Sequence, residues 1–186
     1  MLKIILYCCK AKPYLVNEYD NHYGLWDKLA DDLCLDILNG TIPCECEIET
    51  EEIEKIYGSN HACFDKDGYF DDYADYVTKS LEETKLLKHS CLTSEELENY
   101  LQDKNGYAIH IKNLHIFDKP KALSEYYYYD DVRLTKAPQN MRYAFDEENN
   151  EYILISIQPQ WLCKILNGEK DIEVRKKVLN CMKEKM

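Results

Sequence analysis

The sequence lacks any apolar run that approaches the roughly 18 residues a membrane-spanning helix requires. Residues 1–15 contain a short apolar stretch interrupted by Lys10 and Lys12. They lack the longer apolar segment and the small-residue cleavage site of a signal peptide. We therefore expect a cytoplasmic protein with no membrane partner. The length of 186 residues suits one domain.

Basic residues are outnumbered by acidic ones. The sequence has 23 Lys and Arg and 35 Asp and Glu, which gives a formal net charge of −12. Sequence-independent binding to nucleic acid needs clustered Lys and Arg that displace counterions from phosphates. The composition disfavours that class of binding, although an acidic chain can carry a local basic patch. It also suggests an alternative function, an acidic protein–protein module or nucleic-acid mimic that acts as an inhibitor through a carboxylate-rich face.

Nine cysteines are present, but none form a C-x-x-C pair. This spacing gives no support to a zinc ribbon or a thioredoxin-like motif. In a reducing compartment such residues act mainly as small apolar side chains. Cys44 and Cys46 should face the same side of a strand, where core packing is a better explanation than a metal site. We expect no metal and no cofactor.

The most informative stretch, residues 152–177, reads as strand, helix, tight turn and strand. Residues 152–157 form an apolar, β-branched run that is typical of a buried strand. Pro159 suits the first turn of a helix, and apolar residues then recur at helical spacing up to Gly168, a C-cap candidate. Residues 171–175 alternate polar and apolar side chains, as a half-buried strand does.

Other segments give simpler predictions. Asp65 to Gly68 resembles a calcium-binding loop, but Cys63 and Ala74 would occupy its first and twelfth positions, so we interpret it as a turn. Four tyrosines at 126–129 should line a groove or pack against the core. The predicted strands are 42–48, 53–57 and 107–117, and the predicted helices are 25–38, 71–87 and 94–102, the last capped by Thr93 or Ser94.

The stretch 152–177 resembles the opening of ASCH domains, which belong to the PUA-like β-barrel group. Their signature runs from a strand ending Ile-x-Pro, through a helix ending Ile-Leu-x-Gly-x-Lys, to x-Ile-Glu-x-Arg. The resemblance implies an α+β fold, a PUA-like mixed β-barrel with surrounding helices. The matching positions are Ile157, Pro159, Ile165, Leu166, Gly168, Lys170, Ile172, Glu173 and Arg175.

In ASCH domains this block comes first, whereas here residues 1–150 precede it and resemble what should follow it. The segments that carry this likeness are 3–12, 38–48, 90–101, 105–120 and 137–140. We therefore predict one circularly permuted domain over 1–186. Residues 1–145 would be the family's later part, 146–150 a linker, 151–177 the family's N-terminal motif and 178–186 a tail.

Permutation requires that the old chain ends lie close together and that the new break falls in an exposed loop. Two alternatives remain open. The last 36 residues could pair with a neighbouring chain in a domain-swapped dimer rather than close a monomer. The chain could also be a fragment of a tandem array.

The resemblance implies recognition of RNA or a nucleotide-like ligand in a cleft around the Gly-x-Lys-x-x-Glu-x-Arg motif. Bases would stack on Pro159 and Trp161, while Lys170 and Arg175 would meet phosphate. Glu173 would read a base edge, and His110 on the long predicted strand could face the same cleft. The alternatives are that Lys170, Glu173 and Arg175 form an ion-pair network that fixes the turn, and that Trp161 and His110 are ordinary packed residues.

A third possible function is an amidohydrolase acting on acylated cytidine. In some small ASCH enzymes, a lysine at the position of Lys170 acts with a threonine three residues later and a distant glutamate. Here Glu173 replaces the threonine, and no motif places the distant glutamate. Lys170 and Glu173 are therefore the catalytic candidates if the chain is an enzyme, a question that the sequence leaves open.

Overall fold

The computed structural model describes residues 1–9, 38–64, 70–102, 104–129 and 131–183, with side chains placed for all of these except 59–64, 70–74 and 183. The described residues confirm an α+β class, with two mostly antiparallel sheets and four α-helices. Their contacts define two compact units. Unit 1 comprises 1–48 and 112–168, and unit 2 comprises 49–111 and 169–186.

The elements follow one another along the chain with two short 3-10 helices, Thr50–Glu52 and Leu123–Glu125, between them. In chain order they are β1 (Leu2–Cys8), β2 (Thr41–Ile48), β3 (Glu54–Phe64), β4 (Phe70–Val77), α1 (Glu83–Ser90), α2 (Ser94–Leu101), β5 (Gly106–His110), β6 (Lys112–Ala122), β7 (Met141–Phe145), β8 (Glu151–Ile157), α3 (Pro159–Leu166), β9 (Ile172–Arg175) and α4 (Asn180–Lys183).

Unit 1 contains a five-stranded sheet in the order β6-β2-β1-β8-β7. β8 runs parallel to β1, with Ile4 opposite Ile153, and antiparallel to β7. The other pairs are antiparallel. The predicted strands 42–48 and 152–157 are therefore confirmed, and the second of them pairs with the first strand of the same chain.

Both faces of this sheet are covered. On one face Ile5 and Tyr7 join Tyr152, Leu154 and other apolar side chains in a core cluster. Ile4 and Leu6, which point to the other face of β1, are buried as well, and α3 also contacts β1. The tyrosine run 126–129 does not share one environment. Tyr126 is buried in the core cluster, whereas Tyr129 is 91% exposed.

The predicted linker 146–150 is the turn of a hairpin between β7 and β8. The Asp146 carboxylate accepts hydrogen bonds from the backbone N–H groups of Glu148 and Asn150 at 3.0 and 2.8 Å. Asn149 has a φ of 60°, a left-handed conformation that Asn tolerates. The segments on either side of the linker are thus antiparallel neighbours.

Unit 2 contains a four-stranded antiparallel sheet in the order β4-β3-β5-β9. Two of its core residues, Ile172 and Val174, come from β9, and α1 and α2 add leucines. Thr93 is the N-cap of α2: its hydroxyl accepts the N–H of Glu96, while the Glu96 carboxylate accepts the N–H of Thr93. This capping box confirms the predicted start of that helix.

Two predicted elements are wrong. The predicted helix 71–87 is instead strand β4 followed by α1. The spacing of the tyrosines fits both a helical and a strand period, and pairing with β3 stabilises the strand. The single strand 107–117 divides at Ile111, whose N–H donates to the Asp171 carbonyl at 2.8 Å. Its halves, β5 and β6, belong to different sheets, and Asn113 has a left-handed φ of 47°.

The predicted closed barrel is also wrong for the part of the chain that the structure describes. One sheet ends at β6 and β7 and the other at β4 and β9. The barrel was an expectation from the ASCH resemblance alone, because alternation of side chains identifies strands but does not determine which strands pair. The predicted turn at 65–68 and most of the helix at 25–38 lie outside the described residues. Within those residues, no helix is both long and apolar enough to cross a membrane.

Cys44 and Cys46 are buried on the same side of β2, opposite Leu6 and Ile4 of β1. Burial raises the pKa of Cys44 to about 12, with a smaller contribution from Glu45. Burial likewise raises the pKa of Cys46. These thiols therefore stay protonated in the folded protein and pack as apolar groups.

The stability of the protein should fall as the pH rises above 9, the usual pKa of the Cys44 thiol. The unfolded chain then loses this proton while the folded chain keeps it up to about 12, so stability present below pH 9 is lost in that interval. Each such thiol contributes a decline in the free energy of unfolding of about 1.4 kcal/mol per pH unit.

Urea unfolding at several pH values should show a shallower decline in the free energy of unfolding for Cys44→Val than for the unmodified protein. Cys181→Ala, which changes a half-buried thiol in α4, is the control, and an equal slope in all three proteins would contradict this prediction.

Candidate functional site

The turn that carries the motif begins where α3 ends. The N–H groups of Asn167 and Gly168 donate to the carbonyls of Cys163 and Ile165, both at 3.0 Å. Gly168 has a φ of +73°, in the left-handed region where glycine avoids the strain of a β-carbon. The predicted role of Gly168 at the end of the helix is confirmed.

Lys170 is 3% exposed and belongs to unit 2. Its Nζ donates to the backbone carbonyls of Ser90 and Ile172, both at 2.7 Å. The same atom lies 3.4 Å from Oε2 of Glu173. A lysine ammonium has three N–H donors, so these three acceptors account for all of them.

The Ser90 carbonyl is the last in α1, where the helix dipole favours a positive charge. Beside it, the N–H of Asp171 donates to the His89 carbonyl at 3.1 Å, and the His89 imidazole lies 2.9 Å from the Asp171 carboxylate. Residues 170 and 171 of the motif, which belong to unit 2, are thus attached to the C-terminal end of α1. The pattern of apolar residues gave no sign of these contacts, because about 80 residues separate the two segments.

Glu173 and Arg175 continue the network on β9. Oε1 of Glu173 lies 2.9 Å from Nε of Arg175, and each residue is 8% exposed. Burial lowers the pKa of Lys170, and the Glu173 carboxylate opposes that shift. This chain of ammonium, carboxylate and guanidinium is the arrangement that the ion-pair alternative predicts. The ligand-binding role of the three residues stays a prediction.

His110 lies apart from this network within unit 2. Its cross-strand neighbour is Ile172, so it occupies the opposite face of the sheet from Glu173 and Arg175. Its Nε2 is 3.4 Å from Oε1 of Glu54. The structure therefore does not bring His110 to the side of β9 that carries the charged pair.

Glu54 is itself a hydrogen-bonded carboxylate. It accepts a hydrogen bond from the Ser80 hydroxyl and another from the Ser80 N–H, the latter at 3.0 Å. Burial raises the pKa of Glu54, but hydrogen bonds from Ser80 and Thr78, together with His110, more than offset burial and lower it. The His110 imidazole thus faces an ionised carboxylate that is already fixed in place.

Pro159 and Trp161 belong to α3 and therefore to unit 1. Pro159 is buried at the first turn of the helix, whereas Trp161 is half-buried. The Lys164 ammonium lies 5.1 Å from the centroid of the Trp161 ring system, within cation–π distance. Of the two predicted stacking residues, Trp161 is the one with accessible surface.

No protein-family model, curated protein or solved structure matches this chain. In the described part of the chain, no group of three or more His, Cys, Asp and Glu side chains is arranged to hold a metal ion.

Proposed function

We propose that this chain is an ASCH-type, PUA-like module, circularly permuted, that binds single-stranded RNA or a nucleotide-like ligand. The observation that carries the proposal is that the signature positions occupy the implied elements: strand Glu151–Ile157, helix Pro159–Leu166, a left-handed Gly168 and strand Ile172–Arg175. The hairpin turn at 146–150 also supports permutation, since it shows that the residues on either side can be adjacent.

Trp161 and Lys164 are the proposed ligand contacts in unit 1. An aromatic ring beside a cation is the combination with which proteins hold an unpaired base and its phosphate. The Trp161 ring has one such cation at 5.1 Å. A binding role at these residues is compatible with the net charge of −12, because it needs only a local cation and a stacking surface.

Lys170 and its partners are proposed to support this module rather than to catalyse a reaction. A lysine whose three donors face two carbonyls and a carboxylate has none left for a substrate in this arrangement. The carboxylate at position 173 also takes the place of the threonine that the amidohydrolase reading requires. Turnover of acylated cytidines by this protein would reverse that assignment.

RNA binding should be weakened roughly 5- to 150-fold by Trp161→Ala, since stacking contributes about 1–3 kcal/mol per base. Trp161→Phe keeps an aromatic ring and should retain most of the affinity. The measurement is fluorescence anisotropy of short labelled single-stranded oligoribonucleotides at fixed, moderate salt, followed by a nucleotide panel. Absence of binding by the unmodified protein to every probe would refute the proposed function.

The control variant is Lys85→Gln, which changes an exposed residue of α1 in unit 2. It should bind RNA as the unmodified protein does, with circular dichroism confirming that all variants remain folded. If Trp161→Ala and Lys85→Gln bind equally well, the ligand does not stack on Trp161.

An acidic interaction module is the second candidate, and helix α2 is the observation that favours it. Glu95, Glu96 and Glu98 are exposed on this helix, and its last turn has no basic residue. Such a face would bind a basic partner through charge complementarity. Binding to a basic peptide that is lost in a variant with all three glutamates changed to glutamine, with no binding to RNA, would favour this function over the first.

A further inference from the structure

The edge strand β6 has a charge opposite to that of the chain as a whole. It contains Lys112, Lys119 and Lys121 but only one carboxylate, Asp118. It lies at one end of the unit 1 sheet, where β2 is its neighbour. In a protein with a net charge of −12, this strand is a local basic segment of the kind that phosphate contacts require.

Two rings and an ammonium form a row on this strand. The His115 and Phe117 rings meet edge to face, with centroids 5.4 Å apart and planes at 89°. The Lys121 ammonium lies 4.4 Å from the centroid of Phe117. The His115 side chain is 66% exposed, so the row is open to a ligand at the histidine end. We call His115, Phe117, Lys119 and Lys121 the β6 strip.

Two carboxylates lie near the strip and already have partners. Oε1 of Glu45 is 3.2 Å from Nδ1 of His115, and Oε2 of Glu47 accepts a hydrogen bond from Nδ2 of Asn113 at 2.6 Å. With Lys3 they line a cavity of about 120 Å³. Carboxylate oxygens can accept hydrogen bonds from the amino groups on base edges, so this cavity offers acceptors beside the stacking row.

A second explanation for the lysines is protection of an exposed edge. Lysine and proline on an edge strand prevent pairing with another chain, and β6 contains Pro120 as well. Core packing explains Phe117, whose partly buried ring lies against the unit 1 core cluster, and His115 has Glu45 as an ion-pair partner. Edge protection and packing do not explain why the His115 ring is 66% exposed on a strand with three lysines. Contact with a flexible, negatively charged ligand accounts for the exposed ring and the charges together.

We propose that the β6 strip is a contact surface for single-stranded RNA. An unpaired base stacks on the exposed His115 ring, which Phe117 supports edge to face, and the adjoining phosphates meet Lys119 and Lys121. The inference rests on the proposed function, because it names a further surface for the same ligand.

The test uses the full chain and the same labelled oligoribonucleotides. His115→Ala should weaken binding roughly fivefold or more, as the loss of one stacked base does. The double variant Lys119→Gln plus Lys121→Gln should reduce the slope of log affinity against log salt by about 1.4, or about 0.7 per single-strand phosphate. The matched control is Lys85→Gln plus Lys88→Gln, which removes the same charge from exposed positions of α1 and should leave the slope unchanged.

The outcomes separate the two proposals. If Trp161→Ala weakens binding while the strip variants behave like the α1 control, only the β6 inference is overturned. If the unmodified protein binds no RNA, the proposed function fails and the inference fails with it. If the lysine double variant self-associates in light scattering but binds RNA with unchanged affinity and salt slope, edge protection is the correct explanation and the strip is not a contact surface.

Discussion

Lys170→Met should lower the free energy of unfolding by about 3–5 kcal/mol, the usual cost of breaking a buried ion pair by removing one partner. The change leaves Glu173 buried without its ammonium neighbour and removes the donor from two carbonyls. It also removes the positive charge at the C-terminal end of α1. Urea unfolding followed by circular dichroism measures the loss directly.

A triple variant tests whether this loss comes from the uncompensated charge. Changing Lys170→Met, Glu173→Leu and Arg175→Met together replaces the whole network with apolar groups, which is often neutral or stabilising. The triple variant should therefore be more stable than Lys170→Met alone. Lys85→Met on the exposed side of α1 serves as the control. A loss below about 1 kcal/mol for Lys170→Met would mean that the ammonium is not held in a buried network.

Ile155→Ala should destabilise the protein by about 2–5 kcal/mol, while the milder Ile155→Val should cost about 0.5–1.5 kcal/mol. Ile155 is 2% exposed, and its partners in the sheet are Leu6 of β1 and Met141 of β7. β8 is thus an interior strand, and removal of its side-chain atoms leaves a cavity that neighbours on both sides cannot fill. Thermal and urea unfolding of both variants should give that ranking, whereas equal and small effects would place residue 155 outside the core.

The same unfolding experiments distinguish a closed monomer from a domain-swapped dimer. In the structure β8 pairs with β1 and β7 of its own chain, and β9 pairs with β5. A closed monomer unfolds at a midpoint that does not depend on protein concentration. A midpoint that rises with concentration would show that these strands are exchanged between chains.

Local signals in the sequence were enough to predict the strand, helix and strand of the motif. A continuous β-branched run, a proline at the first helical turn and a glycine after the last are all short-range features, and each matches the structure. The helix predicted over 71–87 failed because tyrosines at these spacings suit both helical and strand periods. Pairing with β3, a contact between distant segments, decided in favour of the strand.

For the candidate site, too, the sequence predicts some features and long-range contacts decide the others. Sequence alone singled out Lys170, Glu173 and Arg175, since the signature places them in one turn and one short strand. Only the tertiary structure decided what they contact, because the Ser90 carbonyl that holds Lys170 comes from a helix 80 residues earlier. Likewise, residue spacing identifies the strands, but the pairing of β1 with β8 and the division of 107–117 between two sheets depend on long-range packing. The periodicity of apolar residues indicates which side of a helix or strand is buried. Which other element packs against that side depends on contacts between segments that are distant in sequence.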